Sequence, residues 1–525
     1  MKFRKWLLVL LLSLLCLPSM VPAAQAKSSG ISILLDGQRL HSDVSPYILP
    51  RVNVTMVPTR VISEGLGAKL SWDQKSKTVT VSKGGVELAM TSGHTSALVN
   101  GSTVPLSASV QIKNNRVMVP LRFISEHLGL TVKWNQAAQQ ISLTSTQVIS
   151  PVYPEMPVPG EKEIRGAWIS TVYNLDWPTT KNNMAKQQSE FIALLDTLQD
   201  AGINAVFVQV RPEGDALYPS ELVPWSKVLT GKQGTDPGYD PLAFMVEETH
   251  RRGMEFHAWF NPFRANSSTS TAELAPNHVA LTHPEWMIKV NNQLMINPGI
   301  PEARQHIIDT IMEVVNGYDI DGIHLDDYFY PSNTTINDTA TYKAYNDGTY
   351  KNIQDWRRGN INTFVEALGN SIDRAKPSVD FGISPFGVWR NKAADPTGSD
   401  TKAGVTAYDS MYADTRTWIH EGWIDYIAPQ IYWSMNFAAA DYDKLVDWWV
   451  SEVEGTDVDL LIGHAAYKVG DPNQEKSWQT ASEIINQLKY NEQYSEIDGS
   501  IFFRADHLIS NPLGLLDQLK LYYQS

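Results

Sequence analysis

From residue 164 onward, short apolar runs alternate with helical stretches, and the alternation holds for eight rounds. The apolar runs are residues 164–171, 204–210, 254–260, 322–325, 380–384, 426–432, 459–463 and 499–503. The helical stretches are 189–201, 240–252, 301–315, 361–375, 418–421, 442–453, 478–491 and 513–523. Gly202 and Gly253 stand just past the first two helices, where a left-handed residue commonly closes a helix. A strand that reaches its neighbour through a helix pairs with it in parallel. Eight such units within residues 164–525 predict an α/β fold, a (β/α)8 TIM barrel. A doubly wound sheet would need a Gly-rich phosphate turn after its first strand, and Ser170-Thr-Val-Tyr-Asn174 is nothing like one.

Three segments precede the barrel. Residues 1–26 read as a signal peptide: Lys2, Arg4 and Lys5, then an apolar run to Leu17, then the small-x-small site Ala24-Gln25-Ala26. Cys16, the one cysteine, lies inside it, so the mature chain is expected to carry neither disulfide nor thiol chemistry. Residues 27–145 contain a duplication. Val57-Pro-Thr-Arg60-Val-Ile-Ser-Glu64-Gly-Leu-Gly67 recurs as Val119-Pro-Leu-Arg122-Phe-Ile-Ser-Glu126-His-Leu-Gly129, and Trp72 recurs as Trp134, always 62 residues on. Each copy reads as a strand, a short helix and a hairpin, which predicts a small α+β module. Its pairs Arg60/Glu64 and Arg122/Glu126 sit at the i,i+4 spacing of helix-surface ion pairs. Residues 146–163 carry Pro151, Pro154, Pro157 and Pro159 and read as a semi-rigid linker.

Loss of the signal's three basic residues takes the formal charge from −14 to −17. A chain this acidic is a poor partner for nucleic acid or an anionic membrane, and no later segment is apolar enough for a membrane helix. Aromatics reach 10%, with 16 Trp and 21 Tyr, more than a core needs and suited to stacking on sugars.

Active sites of TIM barrels lie at the C-terminal ends of the strands, and here those ends are polar and aromatic throughout. The fourth is the most pointed: Asp321-Gly-Ile-His-Leu-Asp326-Asp327-Tyr-Phe-Tyr-Pro331. Paired carboxylates can do acid, base or nucleophilic work on an acetal. Asp326 is the lead catalytic candidate. Asp327 is either its partner acid or an orienting group, and Glu213, after strand 2, is the best carboxylate from elsewhere. Glu273 and Glu302 are held in reserve. Arg211, Asn261, Gln430 and Arg504 read as donors to sugar hydroxyl or acetamido groups. Trp177, Trp259, Trp389, Tyr432 and Trp433 read as stacking platforms. Asp176, His257, Arg264, His324, Tyr328 and Tyr467 complete the expected substrate-binding set. His257, His324 and Asp326 could in principle hold a metal, but neither metal nor cofactor is expected. No Gly-x-Ser-x-Gly elbow lies at a strand end.

Several motifs resemble a known family. Arg165-Gly-Ala-Trp168, Asn174-Leu-Asp-Trp177-Pro, Tyr239-Asp-Pro-Leu242, His257-Ala-Trp-Phe-Asn-Pro262, the strand-4 segment above, Tyr412-Ala-Asp-Thr-Arg416 and Asp425-Tyr-Ile-Ala-Pro-Gln-Ile-Tyr-Trp433 are similar to the glycoside-hydrolase-like family ten. The match covers about residues 163–520. The duplicated module resembles the copper amine oxidase N-terminal-like domain found on exported bacterial proteins. His41, His94 and His127 there lack metal-ligand spacing.

The family resemblance implies a TIM-barrel glycosidase. One member is a division-associated hydrolase of peptidoglycan glycan strands stripped of their peptides, so the implied partner is a cell-wall polysaccharide and the implied location secreted or wall-associated. The wider group of amylase-like barrels places a catalytic Asp at the end of strand 4, which falls on Asp326, and a general acid at the end of strand 5. Here strand 5 runs Ser384-Pro-Phe-Gly-Val-Trp-Arg390 and offers no carboxylate, which leaves the acid open. Two alternatives stand beside a wall glycosidase: a non-catalytic glycan-binding barrel, and a glycosidase acting on a secreted exopolysaccharide.

Overall fold

A computed structural model describes residues 31–35, 38–40, 44–49, 54–61, 68–83, 86–114, 116–128, 130–135, 140–145 and 163–524. The signal peptide and nearly all of the Pro-rich linker lie outside these residues. The chain divides into two compact units, Met1–Val152 and Tyr153–Ser525.

The second unit is a closed barrel of eight parallel strands in sequence order. They are β1 (Ile164–Ile169), β2 (Ala205–Arg211), β3 (Glu255–Phe260), β4 (Gly322–Leu325), β5 (Asp380–Ile383), β6 (Tyr426–Ile427), β7 (Asp459–His464) and β8 (Ile497–Phe502). Closure comes from β1 pairing with β8, with Ile164 opposite Gly499. The main helices are α1 (Met184–Asp200), α2 (Pro241–His250), α3 (Pro301–Gly317), α4 (Ile353–Ala375), α5 (Thr415–His420), α6 (Tyr442–Val453), α7 (Ser482–Asn491) and α8 (Leu515–Gln524). Two apolar layers result. Residues such as Val206, Phe256, Ile323 and Ile383 face the helices, while Trp168, Phe207, Trp259, Tyr426, Leu461 and Ile501 fill the interior.

Two of the departures from the expected bounds have plain local causes. The sixth strand stops at Ile427 instead of running to residue 432. Pro429 has no N–H to give to a ladder, and beyond it only isolated bridges link Gln430 to Phe386 and Gly463. Helix α4 begins eight residues earlier than the periodicity suggests, because Asn352 caps it by accepting from the Asp355 amide at 2.8 Å.

At the N-terminal end of the barrel one device recurs. A side chain at the start of each even strand accepts an amide of the preceding odd strand: Asn204 from Arg165 (2.8 Å), Asp321 from Phe256 (2.7 Å), Asp425 from Phe381 (2.6 Å) and Asp498 from Leu460 (3.0 Å). These contacts fix strand register far from the mouth, which leaves the opposite end to loops. The longest, after β3, builds its own antiparallel sheet from Arg264–Asn266, Gln293–Ile296 and Met287–Val290.

The first unit is small and β-rich, with a five-stranded meander and two four-stranded sheets. The duplication explains one of them. Val57 and Val119, the equivalent residues of the two copies, lie opposite each other in antiparallel strands Val54–Pro58 and Arg116–Pro120. The predicted hairpin is present, with Leu70 opposite Val81, and so is a helix after Pro120, Leu121–His127. Trp72 and Trp134 are 37% and 40% exposed, so the repeated tryptophan is a surface feature and not a core one. Glu64 and the Glu126 side chain lie outside the described residues.

Candidate active site

The barrel mouth opens on a cleft of about 350 Å3. Its floor and walls bring together Asp326, Asp327 and Tyr328 after β4, Trp259 and Arg264 from β3 and its loop, and Gln430, Tyr432 and Tyr467 after β6 and β7. A second depression of about 280 Å3 shares Arg264, Asp327 and Tyr328 with it. The two depressions share the Tyr328 side chain, 47% exposed, as a common border. The Arg264 guanidinium lies 4.0 Å from the Tyr328 ring centroid, a cation–π contact that holds the rim in place.

Asp326 is the most tightly held group. Its Oδ2 accepts from Trp259 Nε1 and Asn261 Nδ2, both at 3.0 Å, and its Oδ1 accepts from the Tyr328 amide at 3.1 Å. Asn261 is itself fixed, since its Oδ1 accepts from the Arg264 amide at 3.0 Å. Arg211 lies behind it, fully buried, donating to the carbonyls of Asn261 and Pro262 at 2.7 and 3.2 Å. Burial pushes the Asp326 carboxyl up, as does the adjacent Asp327 charge, to about 7, against the pull of Arg264 and the Trp259 indole. Burial raises the Asp327 carboxyl as well, opposed by the Gln430 amide and Arg264. Each of the two carboxyls is thus held toward its protonated form.

His324, expected to bind substrate, is instead fully buried and does not line the cleft. Burial holds its ring far below the usual histidine range, so it is neutral. Trp168 Nε1 can only donate, and it reaches His324 Nε2 at 3.0 Å, as does Ser384 Oγ at 2.9 Å. The proton is thereby placed on Nδ1, which meets Tyr426 Oη at 3.0 Å. Among the described residues no cluster of three or more His, Cys, Asp or Glu could hold a metal ion.

The model of the family described as Glycosyl hydrolase-like 10 matches residues 163–480 of this chain. The chain belongs to that family. Glycosyl hydrolase YngK of Bacillus subtilis is 53% identical over 364 residues, covering 68% of this chain and 71% of the relative. Glycosyl hydrolase DigH of Escherichia coli K12 is 44% identical over 368 residues, covering 66% and 83%. Among solved structures, the PgaB glycoside hydrolase domain from Bordetella bronchiseptica aligns with a TM-score of 0.44 at 14% identity, over 68% of this chain and 98% of that one. Residues 34–143 match the copper amine oxidase N-terminal domain. Membership of the glycosyl hydrolase-like 10 family places the chain among glycan-acting hydrolases.

Not every residue expected at the site of this family member lies there. Glu213 is buried away from the cleft, accepting from the Ser267 amide at 2.9 Å and facing Lys227 Nζ at 3.5 Å. Glu273 and Glu302 are exposed, on a loop and on the first turn of α3. Asp176 ties the β1 loop to the β8 loop: it accepts from Ser170 N at 2.6 Å, from Asp506 N at 2.9 Å and from Arg504. Arg504 also donates to Leu175 O at 2.9 Å, so it clamps loops instead of facing a ligand. Trp177 is fully buried, its Nε1 donating to Gln187 O and its ring edge-on to Phe191. Trp389 is stacked 5.6 Å from Trp448 beneath the β5 loop. Trp433 packs edge-on against Phe386 at 5.5 Å. His257 sits lower in the barrel, stacked 4.4 Å from Phe207.

The cleft also contains residues outside the expected set: Trp168, Ser170, Val172, Tyr173, Leu175, Gln209, Ser384 and Phe503. Gln209 Oε1 accepts from the amides of Thr171 and Val172 at 3.2 and 3.0 Å, which turns the β1 loop so that Tyr173, 62% exposed, stands at the mouth. Polar Ser170, Gln209 and Ser384 at strand ends were the available signal for this wall. Trp168 gave none beyond its motif and Phe503 none at all, because an aromatic on a strand reads first as core.

Proposed function

We propose that this protein is an exported glycoside hydrolase that cuts glycosidic bonds in cell-wall glycan, specifically peptidoglycan strands freed of their peptides. The observation that carries this reading is Asp326: a buried carboxyl raised to about 7, immobilised by three donors, beside a second carboxyl in a groove walled by Trp259, Tyr328, Tyr432 and Tyr467. Two adjacent carboxyls, both raised by burial, can exchange a proton with a glycosidic oxygen, and aromatic walls suit the apolar faces of sugar rings. Two depressions bordering one another at Tyr328 give room for more than one sugar unit. Removal of the signal would release the enzyme from the membrane, and the duplicated module, with Trp72 exposed beside Arg60, Lys77 and Arg116, would hold it at the wall.

Purified peptide-free glycan strands provide the test. Wild-type protein is expected to release new reducing ends, seen as shortened oligosaccharides by mass spectrometry. Cleavage of a secreted exopolysaccharide with none of wall strands would overturn the substrate assignment. Retained binding without cleavage of either glycan would make the barrel a binding module. Within this reading, Tyr328→Ala removes one stacking face from the rim. It is expected to raise KM about tenfold with little change in kcat, the loss of roughly 1.4 kcal/mol of stacking. Initial-rate kinetics on the same strands check it.

A further inference from the structure

We propose that the bond is cut with the substrate's own 2-acetamido group as nucleophile, with Asp326 orienting that group and Asp327 serving as acid and then base. The inference rests on the reading of the substrate as an acetamido glycan of the cell wall. It starts from a shortage at the site. A retaining enzyme with a protein nucleophile needs two carboxyls about 5 Å apart on opposite faces of the sugar, and an inverting one needs them about 6.5–9.5 Å apart. In this cleft the carboxyls are Asp326 and Asp327 alone among the lining residues, adjacent on one strand exit. In an eight-stranded barrel β8 lies across from β4, and that side of the cleft presents Phe503, Tyr467, Trp168 and Tyr173, none of them an acid. Glu213 and Asp176 are occupied elsewhere, and β5 offers Ser384. Among the described residues no carboxyl on the far wall is placed to attack the anomeric carbon or activate a water against it.

Neighbouring acids lose this difficulty once the nucleophile belongs to the substrate. The acetamido carbonyl oxygen then attacks from the face opposite the leaving group, and both carboxyls can stand on the same strand. Each has an environment suited to one task. Asp326, gripped by Trp259, Asn261 and the Tyr328 amide, is rigid enough to accept the acetamido N–H and aim its carbonyl. Asp327 is only half-buried and lines the cleft beside Gln430, where it can meet the leaving oxygen and then water. Donation of an amide N–H to Asp326 stabilises its ionised form, and that charge favours the protonated form of the neighbouring Asp327 carboxyl.

The steps balance. The acetamido oxygen bonds to the anomeric carbon as the glycosidic bond breaks, and the Asp327 proton passes to the departing oxygen. The cyclic oxazolinium that forms keeps its N–H on the Asp326 carboxylate. Water then gives a proton to Asp327 and attacks the anomeric carbon, the ring bond returns to the acetamido group, and the product keeps the original anomeric configuration. One water is consumed per bond.

The experiment compares peptide-free strands with the same strands chemically de-N-acetylated, and follows the anomer of the first product by NMR. The expected result is cleavage of acetylated strands with retention, a loss of roughly 10²–10⁴-fold on de-N-acetylated strands, the scale on which one positioned catalytic group acts, and competitive inhibition by N-acetylglucosamine-thiazoline, a stable mimic of the oxazolinium. Inhibition should weaken in Asp326→Asn. Inversion, or comparable rates on both strands, would overturn the inference and leave the wall-glycan reading standing. Failure to cut either kind of wall strand would overturn both.

Discussion

Asp326→Asn is expected to lower turnover on wall glycan by about three orders of magnitude or more, while making the barrel less sensitive to alkaline pH. The catalytic loss follows from geometry, because the carboxylate holds three donors that no neighbouring acid can take over. The stability effect follows from burial. The Asp326 carboxyl moves from its ordinary 3.8 up to about 7 in the folded chain. A group raised on folding favours the folded state below its unfolded pKa, and that contribution is lost as the pH climbs through the folded value. Ionising Asp326 in place therefore costs the folded barrel on the order of 4 kcal/mol by pH 8, about three pH units at 1.36 kcal/mol each. Asn carries no charge to bury. Its amide does meet one of the Trp259, Asn261 or Tyr328 donors unfavourably, so at pH 4 the variant is expected to be the less stable protein. Between pH 4 and pH 8 the difference should shift toward the variant. Asp215, Asp380 and Asp459, each raised to about 6, contribute equally to both proteins and cancel. Thermal unfolding of the two at pH 4, 6 and 8 reads this directly, and parallel pH dependences would refute the buried, raised carboxyl.

The strand–helix alternation is legible because an apolar run set against a helical stretch is a local property, written within a dozen residues. The identity of the mouth at β4 was legible for the same reason: two acids and three aromatics directly follow an apolar run. Depth was not legible. His257, Trp259 and Asn261 alternate correctly toward the interior, but each step of two residues climbs about 6.6 Å along the strand. Only Trp259 and Asn261 reach the level of Asp326, while His257 remains a layer below beside Phe207. Beyond strand ends periodicity carries no information, which is why Trp177, Trp389 and Glu213 were placed at the mouth when loop packing turns them inward. Asn261 and Arg211 were read as donors to sugar. Their actual partners, the Asp326 carboxylate and two backbone carbonyls, belong to a network whose members are far apart in sequence.

Gly322→Ala is expected to destabilise the barrel by about 3 kcal/mol or more, the upper range of overpacking, and His257→Ala is expected to relieve it. A Cβ on Gly322 would stand 2.2 Å from His257 Nδ1, 2.7 Å from its Cε1 and 3.1 Å from the Asp380 carbonyl oxygen. No real Cβ tolerates such a contact, and the ring has nowhere to go, with Phe207 stacked on it at 4.4 Å and Tyr426 edge-on at 5.6 Å. The absent side chain at Gly322 is thus what admits an imidazole into the barrel interior. His257→Ala alone leaves a cavity, and is expected to cost stability without raising KM, since the ring does not line the cleft. In the double variant the new methyl occupies part of the space the ring vacated, so the two changes should be strongly non-additive, the double variant being more stable than Gly322→Ala alone. Denaturant unfolding of the three variants, with KM measured on the soluble ones, separates a packing role from a binding one. A stable His257→Ala protein with weakened substrate binding, or a double variant no more stable than Gly322→Ala, would return His257 to the substrate.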